Sequence, residues 1–435
     1  MVGYALLGSA FLGTSSGTPV LLAQDLEQDR LARADSARAA LVRPPAKPPA
    51  DFTTVLEVPF KIIGFPFLVL TEGLGFAAGQ LTLPRPPSPI VAAIRGLAED
   101  GLTIGVSPSI GPRSGFGATL SLSRFEPFYA TSGWSVRGSR QHSAGVRLGD
   151  WPKGNQIDVG WSFQHDASPR FWGVGSSTTP DLLSEYEREH QTAGASGRYW
   201  LHPSVGLQAH LRYEIFKATD LVGTDDPTVG QTFGPIFGLG ETTEYVVAGG
   251  SLLLDFTNRV GFQTRGVRLQ FDASTYRGAD ETDSDFHRIG GSANVYLPLN
   301  PRQTLAIRGQ LSTLRDDGAV GSDGIPFYLL NTLGGSRSSR GFRTDRFTDT
   351  DLVAFMGEWR YEVWQELQSR ARMEFFIFLD EGAVASRLGD VTSADWHTSY
   401  GLGVRFATVD GLAFATFLGF SDEQTRLGFK TGWPF

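Results

Sequence analysis

Leu207-Gln-Ala-His-Leu-Arg-Tyr-Glu-Ile215 alternates oily and polar residues without a break. Because successive side chains of a strand point to opposite faces, Leu207, Ala209, Leu211, Tyr213 and Ile215 share one face, and Gln208, His210, Arg212 and Glu214 share the other. The same division recurs along the chain. Val267, Leu269, Phe271 and Ala273 oppose Arg268, Gln270, Asp272 and Ser274; Ile289, Ala293, Val295 and Leu297 oppose Arg288, Ser292, Asn294 and Tyr296. Leu305, Ile307 and Leu311 oppose Arg308, Gln310 and Ser312, and near the end Leu427, Phe429, Trp433 and Phe435 oppose Arg426 and Lys430. A soluble sandwich also alternates, so the choice between an oily core and an oily outside rests on the connections. These alternate between tight turns (Leu201-His-Pro-Ser204, Leu299-Asn-Pro-Arg302, Val409-Asp-Gly411) and long polar loops (166–185, 218–242, 316–350). Short turns on one side and long loops on the other are the asymmetry of an outer-membrane barrel.

The fold class expected is therefore all-β: a transmembrane antiparallel β-barrel spanning 99–435, with a short helix before it and a long loop inserted in its lumen. Strands are expected from 101–107 to 425–434, sixteen in all, when Ser132–Gly149 is split into a hairpin at about Arg140-Gln141. The even count places both ends of the barrel on one side of the membrane, as in single-chain bacterial barrels. Composition agrees: 53 glycines and 31 phenylalanines against 3 methionines suit many short aromatic strands joined by tight turns. With no cysteine, disulfides, thiolate catalysis and Cys-ligated metals are excluded together. A net charge of -8 gives no basic surface for phosphate neutralisation, so no nucleic-acid partner is expected.

Ahead of the barrel, residues 1–23 carry an apolar stretch that ends near small residues and reads as a secretory signal peptide, although no Lys or Arg precedes it. Residues 24–53 have linker composition, closing on Arg43-Pro-Pro-Ala-Lys-Pro-Pro49. Residues 54–80 are expected to form a short amphipathic helix, broken at Pro66 and too short to cross a bilayer.

The long loop contains Asn331-Thr-Leu-Gly-Gly-Ser-Arg-Ser-Ser-Arg-Gly-Phe-Arg-Thr-Asp-Arg-Phe347. After it come Met356-Gly-Glu-Trp-Arg-Tyr361, Phe378-Leu-Asp-Glu-Gly382, a Gly-x-Gly-x-Arg-Phe strand at Gly401 to Phe406, and a terminal Phe435. These five ordered elements resemble the C-terminal barrel of the Omp85 family (bacterial surface antigen D15), whose signature loop centres on an Arg-Gly-Phe or Arg-Gly-Tyr triplet, here Arg340, Gly341 and Phe342. The resemblance implies that this loop folds into the lumen, where Arg340 meets carboxylates on the wall. Strand parity bears on that independently: Val353, Phe355, Trp359 and Tyr361 form an oily set that leaves Glu358 inside, and Met373, Phe375, Ile377 and Leu379 leave Asp380 inside. An arginine between two carboxylates makes charge-assisted, bidentate bonds that lysine cannot copy. Gly341 would allow a positive φ or a close backbone approach, and Phe342 would wedge the loop. Phe429, Trp433 and Phe435 look like the family's C-terminal assembly signal. The segment before the first strand shows no pattern of the family's periplasmic POTRA modules, so the chain resembles a stand-alone barrel of that family.

The resemblance implies a part in outer-membrane protein assembly, insertion or translocation, with outer-membrane lipids, client membrane proteins or a separate periplasmic partner as its contacts. A gated or passive pore is the alternative, and a barrel-borne hydrolase a distant third. Enzymatic chemistry is not expected, because the seven histidines (His142, His165, His190, His202, His210, His287, His397) are scattered, with no pair at metal spacing and no serine motif beside His210 and Glu214. No cofactor or metal is expected. Asp280-Glu-Thr-Asp-Ser-Asp285 lacks the glycine and final glutamate of an EF-hand loop and reads as a solvated acidic turn.

Overall fold

The structure is a computed structural model that describes residues 102–431, with breaks at 112–114, 125–126, 150–153, 222, 224–225, 259–262, 280–283, 317–323, 367–370 and 408–412. The signal, linker and helix expected over 1–80, and Trp433 and Phe435, lie outside the described residues.

Sixteen long strands follow one another. The first five are β1 Leu102–Gly111, β2 Gly115–Arg124, β3 Phe128–Ser135, β4 Arg140–Gly149 and β5 Gln156–Asp166. The next six are β6 Ser184–His202, β7 Val205–Asp220, β8 Thr242–Asp255, β9 Gly266–Gly278, β10 Phe286–Asn300 and β11 Gln303–Asp316. The last five are β12 Asp351–Glu366, β13 Ala371–Ala385, β14 His397–Ala407, β15 Ala413–Phe420 and β16 Thr425–Thr431. Each pairs antiparallel with the next in sequence, an up-and-down meander that only short turns at one end can produce. Among the described residues no ladder joins β1 to β16, so the sheet has a seam there.

The hairpin that makes the count even turns at Val136–Ser139, between β3 and β4, rather than at Arg140-Gln141. Gly138 explains the shift: it sits at φ 89°, a conformation that Arg140 and Gln141 would adopt only under strain, and its N–H closes the turn on Ser135 O at 3.1 Å. At the opposite end, side chains cap the turns. Asn300 Oδ1 accepts from Arg302 N at 2.9 Å, and Asn258 Oδ1 accepts from Thr264 N and Arg265 N. Register shifts in the ladders occur near this end too, at Trp200/His202 and Pro298/Asn300, where a bulge accommodates a proline without a ladder donor.

The faces sort as the alternation requires. Leu207, Leu211, Tyr213, Phe271, Ile289, Ile307, Phe355, Ile377 and Leu379 are exposed on the outside, while their neighbours Glu214, Asn294, Glu358 and Asp380 are buried within. So continuous an exposed apolar face is stable only against lipid.

The inside has two storeys, one apolar and one ionic. Toward the ends of the strands that carry the long loops, Tyr186, Phe216, Tyr245, Tyr276 and Phe286 point inward and pack with Phe327 and Tyr328 of the long loop into an apolar core. Tyr276 and Phe286 stack at 4.3 Å, and Phe327 meets Tyr186 edge-on at 4.9 Å. The short helix Val229–Phe233, capped by Thr228, brings Val229 to the same cluster. Below this layer the wall becomes ionic, with pairs such as Arg268 and Asp255 at 2.6 Å and Arg147 and Asp158 at 2.8 Å.

Candidate functional site

The loop between β11 and β12 enters the lumen as a small antiparallel ribbon, Asn331–Leu333 against Phe347–Asp349, and turns beyond it. Gly334 and Gly335 leave the ribbon at φ 125° and 79°, which only glycine adopts without strain. Asp345 returns at φ 58° and accepts a bond from Thr332 Oγ1 at 2.7 Å. The ribbon thereby presents the Ser336–Phe342 turn to the wall formed by β12 to β16.

Arg340 is buried there. Its Nε and Nη2 bind Asp380 Oδ2 and Oδ1 at 2.8 and 2.5 Å, and its own backbone N–H adds a bond to Asp380 Oδ2 at 3.0 Å. Nη1 binds Glu358 Oε1. Register explains why both carboxylates are in reach. Glu358 stands directly opposite Phe378 on the β12–β13 ladder, and Asp380 is two residues farther along β13 on the same face. The Phe378 ring therefore neighbours both acids, and the guanidinium carbon of Arg340 rests 3.8 Å from its centroid. Glu358 spends its second oxygen on Arg360 Nε at 2.7 Å, and the charge alternation continues down the wall through Arg405 with Glu374 and Arg372 with Glu362.

Gly341 does not have a positive φ; its role is close approach. A Cβ at this position would lie 2.6 Å from Phe420 O and 2.6 Å from Ser399 Cβ, so any side chain would lift the turn from the wall. Phe342 is fully buried among Leu333, Phe347, Leu352, Ala354 and Val384, and it holds the ribbon to β12 and β13 by packing. Phe429 is exposed on the outer face of β16.

Three features escape a reading of the motif alone. First, the Gly-x-Gly of β14 is a socket: a Cβ on Gly401 would lie 2.6 Å from the Phe378 ring, and one on Gly403 2.5 Å from Phe376. Gly428 of β16 makes the same room for Phe417, so a slab of inward rings under Arg340 is matched by glycines on neighbouring strands. Second, Arg346, also fully buried, binds Glu423 at 2.7 Å, Thr178 O at 2.6 Å and Thr178 Oγ1 at 2.9 Å. It ties the loop between β5 and β6 to the one between β15 and β16. Third, His397 stacks on Phe347 at 3.5 Å and lies 2.9 Å from Ser176 Oγ through Nε2. That serine-histidine contact is a packing feature, because the Asp395 carboxylate is taken by Thr392 N and Oγ1 at 2.8 and 2.7 Å. His210 and Glu214 likewise stand apart: Glu214 pairs with Arg212 and His190, and His210 faces Ser274.

Below the turn, a cavity of about 10 Å³ remains among Ser336, Arg340, Glu358, Phe417 and Lys430, room for roughly one water.

The family model described as the Omp85 superfamily domain matches residues 101–413. No curated protein matches the chain. Among solved structures, BamA from Haemophilus ducreyi lacking POTRA domains 1-3 is similar with a TM-score of 0.57 and 13% identity, over 77% of this chain and 70% of that one. CdiB from Escherichia coli gives a TM-score of 0.49 and 14% identity, over 76% of this chain and 67% of that one.

Proposed function

We propose, from the premise that this chain belongs to the Omp85 superfamily, that its barrel promotes the insertion or translocation of other polypeptides at the bacterial outer membrane. The carrying observation is the pairing state of the last strand. β16 is laddered to β15 along Phe414–Phe420, and among the described residues it has no partner on its other edge. A strand edge in lipid leaves backbone N–H and C=O groups without partners, at a cost of several kcal/mol per group, and is a template for another chain. A barrel whose only task is conduction gains nothing from such an edge, since full closure removes it.

The filled lumen supports the same choice. Conduction needs an open path, whereas here the ribbon, the Arg340 cluster and the apolar outer storey occupy the interior. Its partners in this reading are outer-membrane lipids and client membrane proteins or a separate periplasmic protein. Phe429, Trp433 and Phe435 serve as the chain's own signal for assembly, and Arg340, Gly341, Phe342, Glu358 and Asp380 as the elements that set the loop.

The test is reconstitution of the full chain in proteoliposomes with an unfolded eight-stranded outer-membrane barrel as client. Faster acquisition of protease protection by the client, relative to empty vesicles, is expected. Equal rates with and without the protein, together with large steady currents across a planar bilayer, would establish the pore instead.

A further inference from the structure

The turn at Ser336–Gly341 touches the last hairpin at more points than its own anchor requires. The backbones of Arg340 and Gly341 lie against Gly419 and Phe420 of β15 so closely that a Cβ on Gly419 would sit 3.0 Å from Arg340 O. The carbonyl of Gly341 accepts from Ser421 Oγ and from Gln424 Nε2, each at 3.3 Å. On β16 itself, Arg426 Nη1 donates to Arg340 O at 3.2 Å and Lys430 Nζ to Ser336 O at 3.4 Å. Residues 426, 428 and 430 are the inward positions of the described part of this strand, and Gly428 is filled by the Phe417 ring. Thus the two inward positions of β16 that carry long side chains both reach the loop.

These contacts meet two needs at once. A backbone carbonyl buried beside an ionic cluster requires a donor; the guanidinium of Arg426 supplies a charge-assisted one to Arg340 O, and the amine of Lys430 supplies another to Ser336 O. In the other direction, β16 is a seven-residue strand supported by one ladder, and a strand held on one edge frays readily.

We propose that the Ser336–Gly341 turn is a brace inside the lumen that positions the last strand, with Arg426 and Lys430 as its positioning residues. β16 is held from within, so its register and tilt are fixed while its lipid-facing edge stays available. This deepens the proposed function and rests on it for its biological meaning, since a client strand would pair with an edge that is already ordered. The brace itself is a structural property that can be measured without any client.

The experiment is hydrogen exchange on the full chain in proteoliposomes. The Arg426→Met, Lys430→Met double variant is expected to exchange on the order of tenfold or more faster over residues 425–431 and 336–341. Exchange over Thr242–Asp255 of β8 should be unchanged, and Arg426→Lys, which keeps a cationic donor, should restore most of the protection lost with Arg426→Met. Unchanged exchange in both segments, or an equal acceleration in β8, overturns the brace. Should the double variant fail to fold, Arg426→Met alone carries the same comparison. The eight-stranded client added to the same vesicles reports on the other question: accelerated exchange with undiminished insertion keeps the brace and removes its tie to the proposed function.

Discussion

Replacing Arg340 by alanine removes the one cation that faces Asp380 through three bonds and Glu358 through a fourth. The two acids are not left equal. Glu358 keeps Arg360 at 2.7 Å, whereas Asp380, fully buried, loses both side-chain bonds from Arg340 and retains at most the backbone N–H. Breaking a buried pair by removing one partner typically costs about 3–5 kcal/mol, and the uncompensated charge accounts for most of it. Loss of the cation over the Phe378 ring adds roughly 0.5–2 kcal/mol. At roughly 1 °C per kcal/mol for a chain of 435 residues, the melting temperature in detergent should fall by roughly 4–8 °C. Limited proteolysis should show new cleavage within residues 331–350. The cause is separable from loss of bulk: Arg340→Ala combined with Asp380→Asn removes the unpaired charge and should recover about half of the loss, whereas Arg340→Lys, a point charge that cannot fork, should recover less. Unchanged melting and unchanged protease sensitivity in Arg340→Ala would refute the reasoning, as would strictly additive effects in the Arg340 and Asp380 double-mutant cycle.

Gly341→Ala puts a Cβ 2.6 Å from Phe420 O, and since backbone cannot rotate away, protease sensitivity of the loop should rise as in Arg340→Ala even though every charge is retained. Gly403→Ala brings a Cβ to 2.5 Å from both the Phe376 ring and Thr416 O and should cost about 1–3 kcal/mol by thermal or denaturant unfolding, of which Phe376→Leu should recover only part because the Thr416 carbonyl cannot move aside. Arg346→Ala cuts the tie between Thr178 and Glu423, and planar-bilayer recordings should then show intermittent conductance absent from the parent chain. Burial raises the Asp349 carboxyl above its ordinary value, against the lowering effect of its bonds from Thr350 N and Oγ1, with the charge of Asp351 raising it further. A carboxyl whose value is raised on folding makes the folded form less stable as pH climbs from its ordinary value through the raised one, so Asp349→Asn should flatten that fall and give a tighter loop at neutral pH, read by proteolysis at pH 4 and pH 7.

The wall of the barrel was legible because its code is local. One residue after another alternates between lipid and lumen, and the strands so read agree with those of the structure apart from the β3–β4 hairpin, where Gly138 sets the turn. That Glu358 and Asp380 point inward also follows from two residues of context on either side. Arg346 could not be found this way, since its partners Thr178 and Glu423 stand 168 and 77 residues distant and belong to loops without periodicity. The aromatic outer storey was hidden for a related reason. Tyr186, Phe216 and Tyr245 occupy inward positions of the alternation, where a polar residue is expected, and only the loop residues Phe327 and Tyr328 packed against them reveal why they are apolar. The glycines of β14 were visible as a motif but mute as to cause until the rings of Phe376 and Phe378 stood opposite them.

The inserted turn also bears on the order in which the molecule is built. Glu358, Asp380, Ser399, Gly419, Phe420, Arg426 and Lys430, which seat it, all follow it in the chain. Farther back in the loop, Ser312 of β11 donates to Asn331 Oδ1 at 2.8 Å and Thr178 O accepts from Arg346 at 2.6 Å. The seat of the turn is thus reached by short loop closures within Asn331 to Thr431, while the ribbon behind it is tied as well to β11 through Ser312 and to the loop before β6 through Gly175 and Thr178. Removing the hairpin Ala413–Thr431 would keep the arginine's carboxylates but take away the floor on which the turn sits, so that hairpin completes the seat of the loop.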